Sequence, residues 1–347
     1  MPEEEQIDKS IDRIRKSDSQ IKYGPFNRRT EFDKNAKLFP NGKPNYKDVK
    51  QGYTDLDCFF LDVVAGMAKS KPGKLLKCFP EYDGLKESKI DENFSRANEV
   101  KILFYKTKRK SNDEYESSGK VEITIEKTAL RSKGAPWVRL LEKAYAVYRA
   151  EGCDAACPVK GNSKRVKSRI IDGINGGDSA SVIVTLTGNS SRSVCLGDDE
   201  ERSKVKKFST TDAEGKKVAS YNEKVLKIFK DIQKNLEKGN IVTASADRRY
   251  RIYSKGLFLK HCYTVIGTNE KNSFKYVVVR NPYANRSRVY KKDSKGVMHS
   301  KVTVHEEEDK KGVSELELND FFKYFKYVET EDAVPENPSS ESSLSKD

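Results

Sequence analysis

Three side chains have the types and placement that acyl-transfer chemistry needs: a thiol, an imidazole and an amide. Cys58 follows Asp57 and opens the apolar run CFFLDVVAGMA. There Phe59, Val63 and Met67 form one i, i+4, i+8 row and Phe60, Val64 and Ala68 a second, the pattern of a helix buried nearly all round. Asp57 is placed to cap the first turn, which leaves the sulfur at a helix N-terminus beside unpaired backbone N–H groups. The helix dipole favours a thiolate there by about 0.3 to 1 kcal/mol. Of the 3 histidines, only His261 sits inside a hydrophobic strand pattern. HCYTVIG (261–267) and FKYVVVR (274–280) flank the polar stretch TNEKNS and read as an antiparallel hairpin. With Gly267 opposite Phe274, His261 falls opposite Arg280, and Asn281 comes beside His261. Pro282 cannot continue a central ladder, so the strand ends at Asn281 and leaves its side chain at the sheet's rim. In a Cys-His-Asn set the amide fixes the ring and tautomer of the imidazole, and the imidazole serves the thiol as base. Each residue alone is more often structural; the requirements are independent, and one chain meets all of them.

The surrounding elements are legible from periodicity. VKILFYK from Val100 and KVEITIEK from Lys120 alternate like a strand pair across a polar loop. WVRLLEKAYAVYRA (137–150) puts Trp137, Leu140, Leu141, Ala144, Tyr145 and Tyr148 on one helical face, with Gly152 as the stop. A short helix fits SASVIVTLTG, closed by Gly188. The charged stretch GDDEERSKVKKFSTTDAEGKK then marks a boundary between two halves. Beyond it, Val225, Ile228, Phe229, Ile232 and Leu236 mark a helix from about Asn222 to Lys238. IVTASA, GLFLKHCYTVIG, FKYVVVRNPY, SRVYKK and ELELNDFFKYF read as strands. The result is a helix-rich first half holding Cys58 and a sheet-rich second half.

Composition narrows the function classes. The 347 residues carry 67 Lys plus Arg against 53 Asp plus Glu, a net charge of +14 that raises nucleic acid as a partner. Arg248, Arg249 and Arg251 with Arg286 and Arg288 are the densest basic clusters, yet no nucleic-acid motif accompanies them, and a solvated basic face is the better reading. From Glu329 onward six acids face one base, so the body is basic and the tail acidic. No apolar run is long enough to span a bilayer, and MPEEEQIDKS lacks the basic flank of a secretory signal. Six cysteines are too sparse for a disulfide scaffold and read as reduced thiols in the cytoplasm. Cys153 and Cys157 have no second ligand pair, and His299 and His305 lie far away, so no metal site is expected. The stretch DGINGGDSA lacks the Lys-Ser/Thr ending of a phosphate loop.

From about Leu38 to Val328 the sequence resembles the calpain family of cysteine proteases. Four blocks carry the resemblance: VKQGYTDLDCFFLDVVAGMA around the nucleophile, the highly specific WVRLLEKAYAVY, GLFLKHCYTVIG followed by YVVVRNPY, and ELELNDFFKYF near the end. It implies an α+β, papain-like, two-lobed protease core: a helix-rich lobe over 29–200, an antiparallel sheet-rich lobe over 214–329, and the active-site cleft between them. Residues 1–28 and the acidic tail 330–347 would lack fixed structure. Carried over by position, Cys58 is the nucleophile, His261 the general base and acid, Asn281 the residue orienting His261, and Gln51 the oxyanion donor. Gln51 stands seven residues before Cys58, where the family has six; Phe59 and Tyr283 replace Trp, and Cys262 replaces Ala. The implied function is a cysteine endopeptidase acting on protein or peptide substrates. The resemblance permits Ca²⁺ as an activator, but the family's acidic loops find no match in this chain. Two alternatives stay open: a catalytically impaired scaffold of the same fold, and a basic nucleic-acid-binding protein.

Overall fold

Apolar spacing and helix-end chemistry explain where the chain turns helical. The computed structural model describes residues 30–33, 35–52, 57–129, 133–156, 176–204, 208–211, 214, 217–246, 257–258, 260–284, 286–292, 298–304 and 312–332. The helices are α1 (Cys58–Ser70), α2 (Pro72–Leu76), α3 (Glu87–Arg96), α4 (Pro136–Ala150), α5 (Ser179–Thr187), α6 (Asp199–Lys204), α7 (Glu223–Glu237) and α8 (Leu318–Tyr324). Helix α1 is buried continuously from Phe59 to Ala68, as its double apolar row predicts. Asn222 caps α7 by accepting from Val225 N, and Asp178 caps α5 by accepting from Ala180 N. Gly188 ends α5 with φ 72°, and a Cβ there would press on the Tyr105 ring at 2.7 Å.

Eight strands make one antiparallel sheet: β1 (Glu99–Arg109), β2 (Glu114–Glu126), β3 (Ser190–Cys195), β4 (Val242–Ala246), β5 (Cys262–Lys271), β6 (Phe274–Arg280), β7 (Val313–Glu317) and β8 (Phe325–Asp332). Their order is β7-β6-β5-β4-β8-β3-β2-β1. Separate two-stranded ribbons pair Thr30–Glu31 with Thr128–Ala129, Phe208–Thr211 with Lys217–Ser220, and Arg286–Lys292 with Met298–Val304. The architecture is mixed helix and antiparallel sheet. Two apolar clusters flank it: one gathers α1, α4, α5 and the β1–β2 hairpin, the other α7, α8 and strands β4 to β8. Strand β8 joins the halves by pairing with β4 on one side and β3 on the other.

Four sequence expectations need correction. The β5–β6 hairpin places Gly267 opposite Val278, and Arg280 opposite Thr264, not opposite His261. TNEKNS is no open loop: β5 runs on to Lys271, and the turn is Asn272–Ser273, both at positive φ (48° and 65°), the conformation of a tight two-residue hairpin connection. ELELNDFFKYF is a strand only to Glu317; its carboxylate then accepts from Asn319 N and starts α8, whose Leu318, Phe321 and Phe322 are buried. The acidic segment from 330 does not begin as a free tail. Glu331 is fully buried and accepts from Lys71 Nζ at 2.7 Å, Asn189 Nδ2 at 2.6 Å and Ile241 N at 3.1 Å, which carries β8 to Asp332. Of the ends expected to lack structure, 1–28 and 330–347, residues 1–28 and 333–347 lie outside the described residues.

Candidate active site

The imidazole is set by its neighbours on β5 and β6. Lys260 takes φ 53°, and His261 follows with its carbonyl accepting from Ala246 N at 2.9 Å. His261 Nε2 lies 2.7 Å from Asn281 Oδ1. Tyr283 N donates to the same Oδ1 at 2.9 Å, so that atom must be the carbonyl oxygen and Nε2 must carry the proton. A neutral ring then keeps its lone pair on Nδ1. Tyr283 stacks on the ring at 4.7 Å between centroids and 5° between planes, Tyr263 meets it edge-on at 5.1 Å, and Phe258 tilts against it at 5.7 Å. This apolar box is the main reason the His261 pKa falls to about 4, against the opposing influence of Asn281 and Asp57.

Asn281 is itself held from two directions. Its backbone N donates to Gly312 O at 2.7 Å, and its carbonyl accepts from Ala284 N at 2.9 Å. Gly312 has φ 74°, and a Cβ would lie 1.9 Å from Ala284 O, so only glycine fits. The flanking residues bind the segment before Cys58. Arg280 Nη2 donates to Val49 O at 2.7 Å, and Gln51 N donates to Pro282 O at 2.9 Å. Burial lowers the Arg280 pKa to about 10.

The thiol sits at the start of α1, partly exposed. Asp57 does not cap the helix, contrary to expectation; its side chain makes no capping bond. Its buried carboxyl instead lies near Glu142 of α4 and the Gln51 side chain. Burial raises the Asp57 pKa, while both contacts and the nearby His261 pull it down. Gln51 is thus beside Asp57, one residue from the sulfur. The Cys58 thiol lies beside Cys262, the residue after His261, whereas the ring's own hydrogen bond goes to Asn281. The helix is fastened to β5 further along: Thr264 Oγ1 donates to Asp62 O at 2.7 Å, and Lys69 Nζ bonds Ile266 O.

A buried polar chain continues from Cys262. Its Sγ lies 3.5 Å from Ser245 Oγ, which donates to Glu329 Oε1 at 2.7 Å; Thr243 Oγ1 donates to Glu329 Oε2 at 3.0 Å. Burial pushes the Glu329 pKa up to about 7. Sequence reasoning missed Glu142, Cys262, Ser245 and Glu329. An acid within the apolar WVRLLEKAYAVY helix was the one visible signal for Glu142; the others lie on strands whose pairing spacing alone does not supply. Arg248, Arg249, Arg251, Cys157 and His305 lie outside the described residues, as do the side chains of Arg286, Arg288 and His299. Among the described residues no group of three or more His, Cys, Asp or Glu side chains could hold a metal ion, and no helix is long and apolar enough to cross a membrane.

The core is mixed helix and antiparallel sheet, consistent with the protease core of a known family. The model of the calpain family cysteine proteases matches residues 3–331, and the chain belongs to that family. No individual curated protein matches it.

Proposed function

We propose that this chain is a calpain-like cysteine endopeptidase with a papain-like, two-lobed core, hydrolysing peptide bonds of protein substrates through Cys58, His261 and Asn281. The observation that carries this reading is the 2.7 Å bond from His261 Nε2 to Asn281 Oδ1, which leaves Nδ1 as base on the strand packed against the helix that Cys58 begins. His261 Nδ1 takes the thiol proton, and the sulfur attacks the scissile carbonyl. The oxyanion is held by the Cys58 backbone N–H at the start of α1 and by the Gln51 amide once it turns from Asp57. The imidazolium then protonates the leaving amine, and water, deprotonated by the same nitrogen, releases the acyl group. Arg280 and Pro282 hold the Val49–Gln51 segment in place beside the site.

The free thiols among the described residues suit a reducing, cytoplasmic setting. Calcium enters only through the family resemblance; the described residues offer no set of three carboxylates for it, and no step is routed through it. Cys58→Ala and Cys58→Ser should each abolish cleavage of a casein substrate while leaving thermal unfolding near that of the parent. Full activity in either variant rejects the mechanism. A second reading, an impaired scaffold of the same fold, is favoured by the Gln51–Asp57 contact. An epoxide thiol probe separates the two: labelling confined to Cys58 and lost in His261→Ala supports the enzyme, and no labelling with or without calcium supports the scaffold.

A further inference from the structure

We propose that Cys262 is the resolving thiol for Cys58, so that a peroxide locks the site as a reversible Cys58–Cys262 disulfide. The inference rests on Cys58 being the nucleophile of the proposed protease and adds a regulation of that site. Its basis is the docking of α1 on β5. Helix positions 58 and 62, one turn apart, face strand positions 262 and 264, which point to the same side of the sheet. Cys58 contacts Cys262, and Asp62 O accepts from Thr264. Gly66 keeps the two elements close: a Cβ there would meet Thr264 Cγ2 at 3.4 Å and Ile241 Cγ2 at 3.0 Å. Cys262 therefore points toward the helix, while His261, one residue earlier, points into its aromatic box.

A disulfide requires sulfurs about 2.05 Å apart and Cβ atoms roughly 3.8 Å apart. Two neighbouring thiols, on elements clamped one turn further along by the Thr264–Asp62 bond and the close approach at Gly66, reach that geometry mainly by side-chain rotation. The chemistry balances with a peroxide as oxidant. The Cys58 sulfur attacks the peroxide; the S–O bond forms, the O–O bond breaks, and one oxygen departs as water or alcohol, leaving a sulfenic acid. The Cys262 sulfur then attacks the Cys58 sulfur; the S–S bond forms, the S–OH bond breaks, and the departing hydroxide takes the Cys262 proton as water. Ser245 lies between Cys262 and Glu329, in hydrogen-bond reach of both. The Cys262 thiol is held well above its ordinary pKa, first by its contact with Cys58 and then by burial, so it waits as a protonated thiol until Cys58 is oxidised.

The test treats the full-length chain with hydrogen peroxide, maps disulfides by non-reducing peptide mass spectrometry, and follows casein cleavage before and after dithiothreitol. Expected is a Cys58–Cys262 crosslinked peptide, loss of activity, and recovery of most activity on reduction. Cys262→Ala should start active but be oxidised at Cys58 to sulfinic acid and stay inactive after dithiothreitol, with Cys262→Ser as a second variant. Sulfinic acid at Cys58 with an unmodified Cys262 thiol in the parent chain overturns the inference even if proteolysis is intact. A chain without protease activity that still forms the crosslink upholds the thiol pairing and discards the protease reading.

Discussion

The imidazole side of the site and the thiol side are built on different principles. Around His261 the contacts are directional and tied to backbone: Asn281 Oδ1 takes Nε2–H and Tyr283 N–H, and Asn281 N is anchored on Gly312 O. Around Cys58 each contact includes a group that gains and loses protons: Asp57 with Glu142, Cys58 with Cys262, and Ser245 with Glu329. One side fixes a tautomer by geometry. The other gathers buried acids and thiols, so its behaviour depends on pH and oxidation.

The largest effect should come from breaking the geometric side. Asn281→Ala removes the acceptor of Nε2–H, frees the ring to take the other tautomer, and should lower kcat/KM by about 10³-fold, within the range for a mispositioned general base. It leaves two donors without a partner, so chemical denaturation should also show a loss of about 1 to 3 kcal/mol. Unchanged activity would mean that His261 is positioned by its aromatic box alone.

The next effect tests burial on both sides through pH. His261 is buried with a pKa of about 4 against 6.5 unfolded, so its contribution is fully present above pH 6.5 and lost as pH falls through 4. Glu329 works in the opposite sense: with about 7 against 4.5, its contribution is full below pH 4.5 and lost as pH rises through 7. The two oppose each other across nearly the same window. Glu329→Gln removes one of them, so its stability relative to the parent should rise by about 3 kcal/mol between pH 4.5 and 7, measured by urea unfolding at each pH. A constant difference would place Glu329 in a wetter setting than its contacts with Ser245 and Thr243 imply.

The smallest effect concerns Gln51, which stands between the two sides. Gln51→Ala should reduce kcat by about 10²-fold with little change in KM, as expected for one lost oxyanion donor. A pure KM effect would assign Gln51 to holding Asp57 in place.

The comparison also separates what was legible from what was not. Helix α4 could be read because six apolar side chains at helical spacing must share one face whatever they pack against. The juxtaposition of His261 and Asn281 was anticipated, but through a pairing four residues out of step at Gly267 and three at Arg280, past a bulge at Val278–Val279: polar residues 268–271 read as loop while they extend β5 to a positive-φ turn. Asp57 had the type and place of a cap, yet its carboxyl turned to Glu142, a residue far along the chain that no local rule brings near.

The sequence by itself determined the apolar faces, the stop glycines and the family blocks around Cys58, His261 and Asn281, because these depend on side-chain type and short-range periodicity. Only the tertiary structure decided the hairpin register, the sheet running through both halves, and the contacts Cys58–Cys262, Asp57–Glu142 and Ser245–Glu329. Those follow from which face of a strand meets which turn of a helix, and from where a buried polar group finds a partner. Such choices are made between segments more than a hundred residues apart in some cases, where the free energy of burial, not the local pattern, selects the neighbour.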